Sequence, residues 1–428
     1  MVKGVIIAAG KGVRLRPFTE TRPKPLIPVL NKPLLYWIIR AMHEAGVDDI
    51  IVVISYMADE IRNAMARYIS KLPVHVRYVE QGGEDGTADA VEKAISHTGL
   101  NEEFVLVYGD ILVEPWIIKK LLETPSGTDA IIGISVTDPR DYGLLAVDSA
   151  NYLNNIIEKP TNYKGPGLVF AGLGKFDASY LVHYLDKTGF SERGEREFTE
   201  TLVLMSRHKR IKVVEAPQDA WVEMGKPWNI IDINKWLLQR QKPRVEGEIE
   251  ENVVIKGDIV IEEGAVIKSG TYIIGPVYIS ENAEIGPHAY IRPYSVIGEG
   301  SRIGFSVEVK ESVVMEHVHA SHLAYIGDSV IGEYTNLGAG TITANLRFDN
   351  ATVKVVIKGK RIDSGRRKLG AFIGAYVRTG INVSIFPGVK IGSYSWIYPG
   401  CMVDEDVPPN TILKCRQEMF VKDLRKKE

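Results

Sequence analysis

The chain is 428 residues long, is 45% hydrophobic and carries a formal net charge of -2 at pH 7. This length exceeds the size at which a single core keeps growing, so two or more domains are expected. A nearly neutral chain lacks the electrostatic footprint of a nucleic-acid-binding protein, which leaves small molecules or proteins as partners. The two cysteines, Cys401 and Cys415, are too few for a disulfide framework and lack metal-ligand spacing. Because membrane-length apolar runs and a cleavable leader are also absent from the sequence, we expect a cytoplasmic protein with no membrane partner.

The first 230 residues or so alternate buried strand-like runs with amphipathic stretches, which is typical of an α/β domain. Strands are predicted at Val5–Ile7, Ile50–Ile54, Val74–Val76, Phe104–Val107 and Ile131–Ile134. Helices are predicted at Leu34–Glu44, Ala58–Tyr68, Thr87–Ser96 and Trp116–Glu123. A further helix, opened by a proline, is predicted at Pro227–Leu238 and is expected to join this domain to the rest of the chain.

From Ile249 to Met315 an aliphatic side chain occurs at every sixth position. This period fits neither a helix nor an isolated strand, but it fits a triangular coil in which each hexad forms one short parallel strand and a turn. Small residues four positions after these anchors, and glycines such as Gly264 and Gly270, suit tight corners. The pattern predicts a left-handed parallel β-helix of hexapeptide repeats.

Two irregularities interrupt this ladder of aliphatic residues. A frame slip of four residues between Met315 and Tyr325 contains His322, where we expect the backbone to leave the coil. An excursion from about Asn345 to Leu369 follows, and its cations could meet phosphates: Lys354, Lys358, Lys360, Arg361, Arg366, Arg367 and Lys368.

Together these patterns predict four segments. Residues 1–227 form a Rossmann-like α/β domain and residues 228–244 form a linker helix. Residues 245–407 form the β-helix, and residues 408–428 form a C-terminal tail.

The first predicted strand runs into a loop with glycines and cations. Gly10 and Gly12 expose backbone N–H groups that suit phosphate. A Rossmann fingerprint needs a third glycine where Leu15 stands, and the Gly-Lys-Ser/Thr of a Walker loop does not occur in this loop. Arg14 and Lys24 are candidates to contact a polyphosphate, although basic loops are also common as solvated surface.

Two carboxylates are candidate magnesium ligands. Asp110 ends a very apolar strand, at the edge where open α/β sheets bind ligands. Glu223 is the second candidate, because two carboxylates plus phosphate oxygens satisfy the coordination preference of Mg²⁺. The alternative for Glu223 is a charge that stabilises the start of the following helix.

A series of motifs runs through the N-terminal half in fixed order. They are Ala8-Ala9-Gly10-x-Gly12-x-Arg14-Leu15, Pro23-Lys24-Pro25, Gln81, Gly86-Thr87-Ala88, Tyr108-Gly109-Asp110, Gly143, Glu158-Lys159-Pro160 and Trp221-x-Glu223-x-Gly225-Lys226-Pro227-Trp228. In order and spacing this half resembles the sugar-1-phosphate nucleotidylyltransferases.

The resemblance implies a role for each matching residue. Nucleoside and phosphate binding would fall to Ala8, Ala9, Gly10, Gly12, Gln81, Gly86, Thr87 and Tyr108. Gln81 would read a pyrimidine edge, and Arg14 would grip the triphosphate. Lys24 and Lys159 would neutralise the α-phosphate and the sugar phosphate, while Gly143 and Glu158 would position the sugar.

The implied reaction is an in-line displacement, in which a sugar 1-phosphate oxygen attacks the α-phosphorus of UTP or dTTP and pyrophosphate leaves on Mg²⁺. Two positions depart from the family pattern. Glu223 stands where aspartate or asparagine is usual, and Phe170 stands where amino-sugar members often carry asparagine. The choice between glucose and N-acetylglucosamine therefore stays open.

The C-terminal half carries its own motifs: Ile291-Arg292-Pro293, Val309-Lys310, His322-Leu323-Ala324-Tyr325 and the run Asn336-Leu337-Gly338-Ala339-Gly340-Thr341-Ile342-Thr343-Ala344-Asn345. They resemble the acetyltransferase domain of the bifunctional N-acetylglucosamine-1-phosphate uridylyltransferase/glucosamine-1-phosphate acetyltransferase family. That resemblance implies that His322 is the general base toward the sugar amine, with acetyl-CoA as co-substrate. The other implied contacts are Arg292 and Lys310 to the sugar phosphate, Tyr325, Asn336 and Asn345 to the sugar, Ala339 to the thioester, and Ala375, Pro399 and Arg416 to the CoA channel.

Several alternatives stay open at this point. His322 could be a hydrogen-bonded turn residue, or it could bind zinc with His317 and His319. The chain as a whole is expected to be a bifunctional homotrimer with active sites between subunits. The second hypothesis is a glucose-1-phosphate nucleotidylyltransferase whose β-helix serves assembly or regulation, and the third is a non-enzymatic interaction protein.

Overall fold

The computed structural model describes residues 2–83, 86–191, 194–416 and 418–422. The chain divides into two compact units. The first extends to Trp236 and the second begins at Leu237, with the short segment Arg16–Glu20 grouped with the second. Among the residues described, no helix is long and apolar enough to cross a membrane.

Thirteen strands are described in the first unit. They are β1 (Lys3–Ile7), β2 (Pro28–Val29), β3 (Lys32–Pro33), β4 (Asp49–Ile54), β5 (His75–Glu80), β6 (Glu103–Tyr108), β7 (Ile111–Val113), β8 (Asp129–Val136), β9 (Gly143–Val147), β10 (Leu153–Glu158), β11 (Gly167–Asp177), β12 (Ile211–Ala216) and β13 (Trp221–Glu223).

The main sheet of this unit has the order β10-β9-β11-β6-β1-β4-β5, and β8 pairs with β11 and β12. Strand β1 lies between β4 and β6 and runs parallel to both. The chain leaves β1 toward one side of the sheet and later returns to the other, so the carboxyl ends of β1 and β6 form a topological switch point. Residues that follow Ile7 and Tyr108 therefore lie where open α/β sheets bind ligands.

The helices are α1 (Leu34–Glu44), α2 (Ala58–Ile69), α3 (Thr87–Thr98), α4 (Pro115–Leu122), α5 (Ala178–Leu185), α6 (Phe198–Ser206) and α7 (Asn229–Leu238). The predicted helices agree with α1 to α4 and α7 within a few residues. Helices α5 and α6 were not predicted. Helix α5 has only eight residues and α6 only nine, so each presents too few turns for a helical period to stand out in the sequence.

The second unit is a left-handed parallel β-helix with three faces, each a sheet of short parallel strands. The first face contains Arg244–Val245, Ile259–Ile261, Val277–Ile279, Ser295–Ile297, Val313–Val314, Val330–Ile331, Phe372–Ile373 and Lys390–Ile391. The second contains Glu248–Ile249, Val266–Ile267, Glu284–Ile285, Arg302–Phe305, His319–His322, Asn336–Leu337, Arg378–Thr379, Trp396–Ile397 and Ile412–Leu413. The third contains Val254–Lys256, Tyr272–Ile274, Tyr290–Ile291, Glu308–Lys310, Tyr325–Gly327, Ile342–Thr343, Ser384–Ile385 and Met402–Val403.

The register of the ladder differs from the prediction in the middle of the coil. Rungs before Ile297 contain 18 residues, but Ile297 pairs with Val314, only 17 positions further on. Val314 and Ile326 belong to the inner core of the coil, so Met315 and Tyr325 are not its inward residues, and that prediction was wrong. The physical reason is that two inward steps of five residues, rather than one slip of four, set the register.

The expectation that the backbone leaves the coil at His322 was also wrong. His322 is the last residue of the regular strand His319–His322 and pairs with Phe305 on the rung below. The corner comes one residue later, where Leu323 has a φ of +47°. The imidazole is exposed because it lies at the end of a strand, just before a corner.

The predicted excursion is confirmed. Ile331 pairs with Ile373, 42 positions further on, so one rung contains a large insertion. The insertion folds into an antiparallel hairpin, Lys354–Ile357 with Lys360–Asp363, whose Val355 and Ile357 side chains are buried. Its two ends meet where the Leu369 N–H donates to the Asn345 carbonyl at 3.0 Å.

The two cysteines, too few for a disulfide framework, nevertheless form one disulfide. Cys401 and Cys415 are joined, with their Cα atoms 5.5 Å apart, which is within the usual range for a disulfide. Cys401 is fully buried in the coil, whereas Cys415 lies in the C-terminal tail, two residues after the last strand. A count of two cysteines cannot exclude one bridge, because the fold alone decides whether they meet.

Cys401 and Cys415 are 14 positions apart, so their disulfide closes a short loop in the unfolded chain. Reduction is therefore expected to lower the free energy of unfolding of the β-helix by about 3 kcal/mol. Chemical denaturation with and without a thiol reductant measures the effect. The Cys415→Ser variant serves as the control and should match the reduced wild type in both conditions. Equal midpoints for reduced and oxidised protein would show that the bridge does not stabilise the fold.

Candidate active sites

The carboxyl end of β1 forms one wall of the first candidate site. The Ala8 N–H donates to the Val53 carbonyl at 2.8 Å, so the pairing between β1 and β4 continues one residue beyond the end of β1. Gly10 is exposed, and a short 3-10 helix at Val13–Leu15 follows, in which Arg14 is half-buried. The predicted phosphate loop therefore lies at the switch point of the sheet.

Asp110, Lys24 and Glu223 come together beside this loop. Lys24 Nζ lies 2.6 Å from Asp110 Oδ2. Strand β13 pairs with β7, and the Met224 N–H donates to the Asp110 carbonyl at 2.8 Å, which holds Glu223 beside Asp110. Burial and the charge of Asp110 raise the pKa of the Glu223 carboxyl, while Lys24 and Arg14 act in the opposite direction.

These residues suit a magnesium ion held jointly by protein and phosphate. The raised pKa of Glu223 reflects burial first and then the repulsion between its carboxylate and that of Asp110, and a divalent cation between the two would offset both. In the ranges that the structure describes, no group of three or more His, Cys, Asp or Glu side chains could hold a metal by itself. Phosphate oxygens would supply the remaining ligands.

Gln81 is held in one orientation by a residue that the sequence did not reveal. Its Nε2 donates to the Gly86 carbonyl and to Asp89 Oδ2, both at 2.9 Å. A carboxylate only accepts hydrogen bonds, so the amide nitrogen must face Asp89. The Gln81 carbonyl oxygen is the group left for a ligand. The available signal was an aspartate within the Ala88–Ala90 run of α3, where a lone charge on an apolar helix face needs a partner.

Gly86 and Thr87 shape the entrance to α3. Gly86 has a φ of +100°, and a β-carbon at this position would lie 2.5 Å from the Arg196 carbonyl oxygen. Only glycine fits this position. Thr87 Oγ1 accepts a hydrogen bond from the Phe198 N–H at 2.8 Å, which ties the start of α3 to the start of α6.

The candidate sugar residues meet between β9, β10 and α6. A β-carbon at Gly143 would lie 2.9 Å from Ile156 and 3.2 Å from the Glu158 carboxylate, so glycine leaves room there. Thr199, which sequence reasoning missed, donates to Glu158 Oε2 at 3.1 Å. Glu158 and Thr199 line a cavity of about 390 Å³. Lys159 Nζ lies 3.4 Å from Glu158, beside this cavity.

Tyr108 and Phe170 form an apolar wall near these groups. Their rings meet edge to face, with centroids 5.7 Å apart, and Phe170 is buried. Burial raises the pKa of Tyr108 well above its ordinary value, so its hydroxyl stays protonated. The asparagine that amino-sugar members often carry is therefore replaced by a packed aromatic ring.

The β-helix carries the second candidate site. Lys310 Nζ lies 2.6 Å from the buried carboxylate of Asp328, and Asn345 Nδ2 donates to both Asp328 and the Tyr325 hydroxyl. Burial, and then the charges of Asp328 and Glu308, raise the pKa of Tyr325. The structure therefore brings together Lys310, Tyr325 and Asn345, although they come from different rungs.

Arg292 forms an ion pair with Glu308 at 2.9 Å on the same face. Glu308 pairs with Tyr325 across neighbouring strands, so Arg292 lies next to the Lys310 group. Asn336 is exposed at the start of a strand, and the Ala339 carbonyl accepts from the Asn382 N–H at 2.8 Å. Neither makes a described contact with the Lys310 group.

The remaining predicted positions lie elsewhere in the coil. Ala375 is 1% exposed, and its carbonyl accepts from the Tyr394 N–H, so it is part of the coil wall. Arg416 follows the disulfide-bonded Cys415 in the tail. Pro399 packs against Gly380 in the rung below, where a β-carbon would lie 2.5 Å from the Pro399 nitrogen. Contact of these three residues with CoA stays a prediction.

The histidines near His322 do not form a metal site. The His317 ring stacks on Tyr334 with centroids 4.8 Å apart, and His319 starts the next strand. In the described part of the chain, the His322 side chain makes no hydrogen bond and belongs to no metal-binding group. An exposed imidazole of this kind is suited to proton transfer.

An α/β sheet with a phosphate loop at its switch point, followed by a β-helix with its own polar site, defines a two-domain transferase. The nucleotidyl transferase family matches residues 3–240, and the GMPPB C-terminal domain family matches residues 273–363. Among solved structures, UDP-glucose pyrophosphorylase complexed with UDP-glucose has a TM-score of 0.50 and 20% identity. It covers 56% of this chain and 100% of its own, and it supports the fold of the first unit.

Two curated relatives match both units. The bifunctional sugar-1-phosphate nucleotidylyltransferase/acetyltransferase of Sulfurisphaera tokodaii is 48% identical over 95% of this chain and 98% of its own length. The bifunctional protein GlmU of Methanocaldococcus jannaschii is 42% identical over 98% and 99%. The chain belongs to the bifunctional sugar-1-phosphate nucleotidylyltransferase/acetyltransferase family.

Proposed function

We propose that the protein acetylates glucosamine 1-phosphate, or a close amino-sugar 1-phosphate, with acetyl-CoA and then transfers UMP or dTMP to the product. The observation that carries this proposal is the presence of two separate polar sites, one around Asp110 and Lys24 and one around Lys310 and Asn345. We assign the first reaction to the β-helix, residues 245–407, and the second to residues 1–227.

In nucleotidyl transfer, Arg14 and Lys24 hold the triphosphate so that the sugar phosphate oxygen is in line with the α-phosphorus. Lys159 neutralises the incoming sugar phosphate, and Glu158 orients the sugar with support from Thr199. Asp110 and Glu223 would hold Mg²⁺, which when bound would supply charge neutralisation for the phosphates. The nucleophile is already ionised, so positioning and charge account for the rate without a general base.

The choice of base follows from the orientation of Gln81. Its free carbonyl oxygen accepts the N3–H of uracil or thymine, whereas cytosine presents an acceptor at N3. This supports UTP or dTTP as the donor.

Replacement of Asp89 by asparagine is expected to raise the KM for UTP about 10-fold and to weaken discrimination against CTP. The reason is that an asparagine can donate as well as accept, so the orientation of the Gln81 amide would then depend on the Gly86 carbonyl alone. Steady-state pyrophosphate release with UTP, dTTP and CTP measures the effect. Unchanged KM values for all three would show that Asp89 does not fix Gln81.

In acetylation, His322 accepts a proton from the sugar amine as the amine nitrogen attacks the thioester carbonyl carbon. The carbon–sulfur bond then breaks, and the CoA sulfur leaves with a proton. Arg292 and Lys310 bind the sugar phosphate, and Tyr325 and Asn345 orient the sugar. Asn336 and Ala339 are assigned to the sugar and thioester on family resemblance alone.

A homotrimer with its acetyltransferase sites between subunits is part of this proposal. Large apolar side chains are exposed on the last rungs of the coil, including Ile381 at 56%, Trp396 at 52%, Met402 at 70% and Ile412 at 53%. Apolar surface of this kind supports packing against further copies of the flat-sided coil.

The substrates, which are nucleotides and CoA thioesters, support a cytoplasmic location. Because Cys401 and Cys415 form a disulfide, the low cysteine count gives no support for a reducing compartment.

One observation favours a second candidate, a glucose-1-phosphate nucleotidylyltransferase with a non-catalytic β-helix. Phe170 stands at the position where amino-sugar members of the family often carry asparagine, and its ring is packed against Tyr108. Incubation with glucosamine 1-phosphate and acetyl-CoA separates the two candidates. Release of free thiol supports the bifunctional enzyme, and its absence supports the second candidate.

A further inference from the structure

Asp328 is a buried carboxylate at the centre of the second site. It occupies a corner of the coil with a φ of +48° and is 2% exposed. Its side chain binds Lys310 from the rung below and Asn345 from the rung above. Two of the three clustered residues in this site therefore depend on one carboxylate.

The backbone of Asp328 also anchors the excursion. Its N–H donates to the Lys310 carbonyl at 2.8 Å, and its carbonyl accepts from the Gly370 N–H at 2.8 Å. Leu369, one residue earlier, donates to Asn345. Both ends of the excursion are therefore fixed at the Asp328–Asn345 contact.

The chemistry of this contact determines how Asn345 points. Asp328 only accepts hydrogen bonds, so the amide nitrogen of Asn345 must face it, and the second amide hydrogen goes to the Tyr325 hydroxyl at 3.0 Å. Both donors of Asn345 are thereby used. The group that remains for a ligand is the Asn345 carbonyl oxygen, which only accepts.

We propose that Asp328 is the positioning residue of the acetyl-acceptor site, and that it selects an amine-bearing sugar by presenting the Asn345 carbonyl oxygen to the amine. The inference rests on the proposed acetyltransferase function. One N–H of the neutral amine donates to Asn345, a second points to His322, and the nitrogen lone pair is left for attack on the thioester. Asp328 touches neither substrate nor CoA.

The test is a double-mutant cycle with Asp328→Asn and Asn345→Asp. Asp328→Asn allows the Asn345 side-chain amide to rotate by about 180°, and it removes the negatively charged partner of Lys310. Asn345→Asp places two carboxylates against each other. Each single variant is expected to raise the KM for glucosamine 1-phosphate at least 10-fold. The exchanged pair restores a donor facing a carboxylate and keeps an acceptor toward the amine, so its KM should be several-fold lower than that of either single variant.

Asp406→Asn is the matched control, because Asp406 makes the same kind of pair with Lys390 at 3.1 Å and touches none of the predicted sugar residues. It should leave the KM for glucosamine 1-phosphate unchanged. Pyrophosphate release from UTP and N-acetylglucosamine 1-phosphate should be unchanged in all variants, which checks the integrity of the first unit.

The outcomes separate the inference from the function on which it rests. If the wild type releases no thiol with glucosamine 1-phosphate and acetyl-CoA, the proposed acetylation fails. If the wild type is active and Asp328→Asn keeps its KM, or the exchanged pair is no better than the single variants, the positioning role is overturned. If Asp328→Asn fails to fold, the exchanged pair must recover both the fold and the KM, and failure to do so also overturns it.

Discussion

Replacement of His322 by alanine is expected to slow acetylation of glucosamine 1-phosphate about 1000-fold, because the amine then attacks without a general base. The imidazole is exposed at a strand end, three residues before Tyr325, whose strand pairs with the strand of Lys310 on the rung below. The same variant should release pyrophosphate from UTP and N-acetylglucosamine 1-phosphate at the wild-type rate, since that site lies in the other unit. Thiol release and pyrophosphate release, measured on one preparation, give both rates.

His317→Ala is the control for this variant. His317 lies in the same stretch of coil, but its ring stacks on Tyr334. Its replacement should leave acetylation within a few-fold of the wild type. Equal loss of both reactions in His322→Ala would contradict two separate sites, and full acetylation would remove His322 from the mechanism.

Replacement of Asp110 by asparagine is expected to lower pyrophosphate release about 100- to 1000-fold. The variant removes one of two carboxylates that would hold Mg²⁺, and it also removes the charged partner of Lys24 at 2.6 Å. Acetylation should be unaffected. The rate should be measured over a range of Mg²⁺ concentrations, because a weakened metal site shifts the concentration needed for half-maximal activity upward.

Asp138→Asn provides the comparison for Asp110→Asn. Asp138 forms an exposed ion pair with Arg140 and lies outside the group around Asp110. Its loss should not change the Mg²⁺ dependence. A wild-type rate for Asp110→Asn at low Mg²⁺ would contradict its role as a metal ligand, and it would favour the interpretation of the chain as an interaction protein.

The sequence predicted the β-helix from a period of six, because one inward aliphatic residue per side is a local requirement that every rung repeats. It did not predict the register around Val314 and Ile326, since an inward step of five residues still leaves apolar residues at neighbouring positions. The result was an error about His322, which lies on a regular strand.

The positioning residues Asp89, Thr199 and Asp328 were missed for a different reason. Each acts through a side chain distant in sequence or on another rung, as Asp328 does with Lys310 and Asn345. The aspartate between Ala88 and Ala90 was a local signal for Asp89, but no local pattern marks the contacts of Thr199 and Asp328. The residues expected to contact substrates matched family motifs. The residues that orient them were identified only from the fold, which places the Asp89 and Asp328 carboxylates against amides and the Thr199 hydroxyl against a carboxylate.

The most direct test of the central claim is to supply glucosamine 1-phosphate, acetyl-CoA, UTP and Mg²⁺ to the wild-type protein and to measure thiol and pyrophosphate together. Two sites acting in sequence predict that thiol appears first, that pyrophosphate follows after a lag, and that both approach equal amounts. Pyrophosphate without thiol would contradict the bifunctional account.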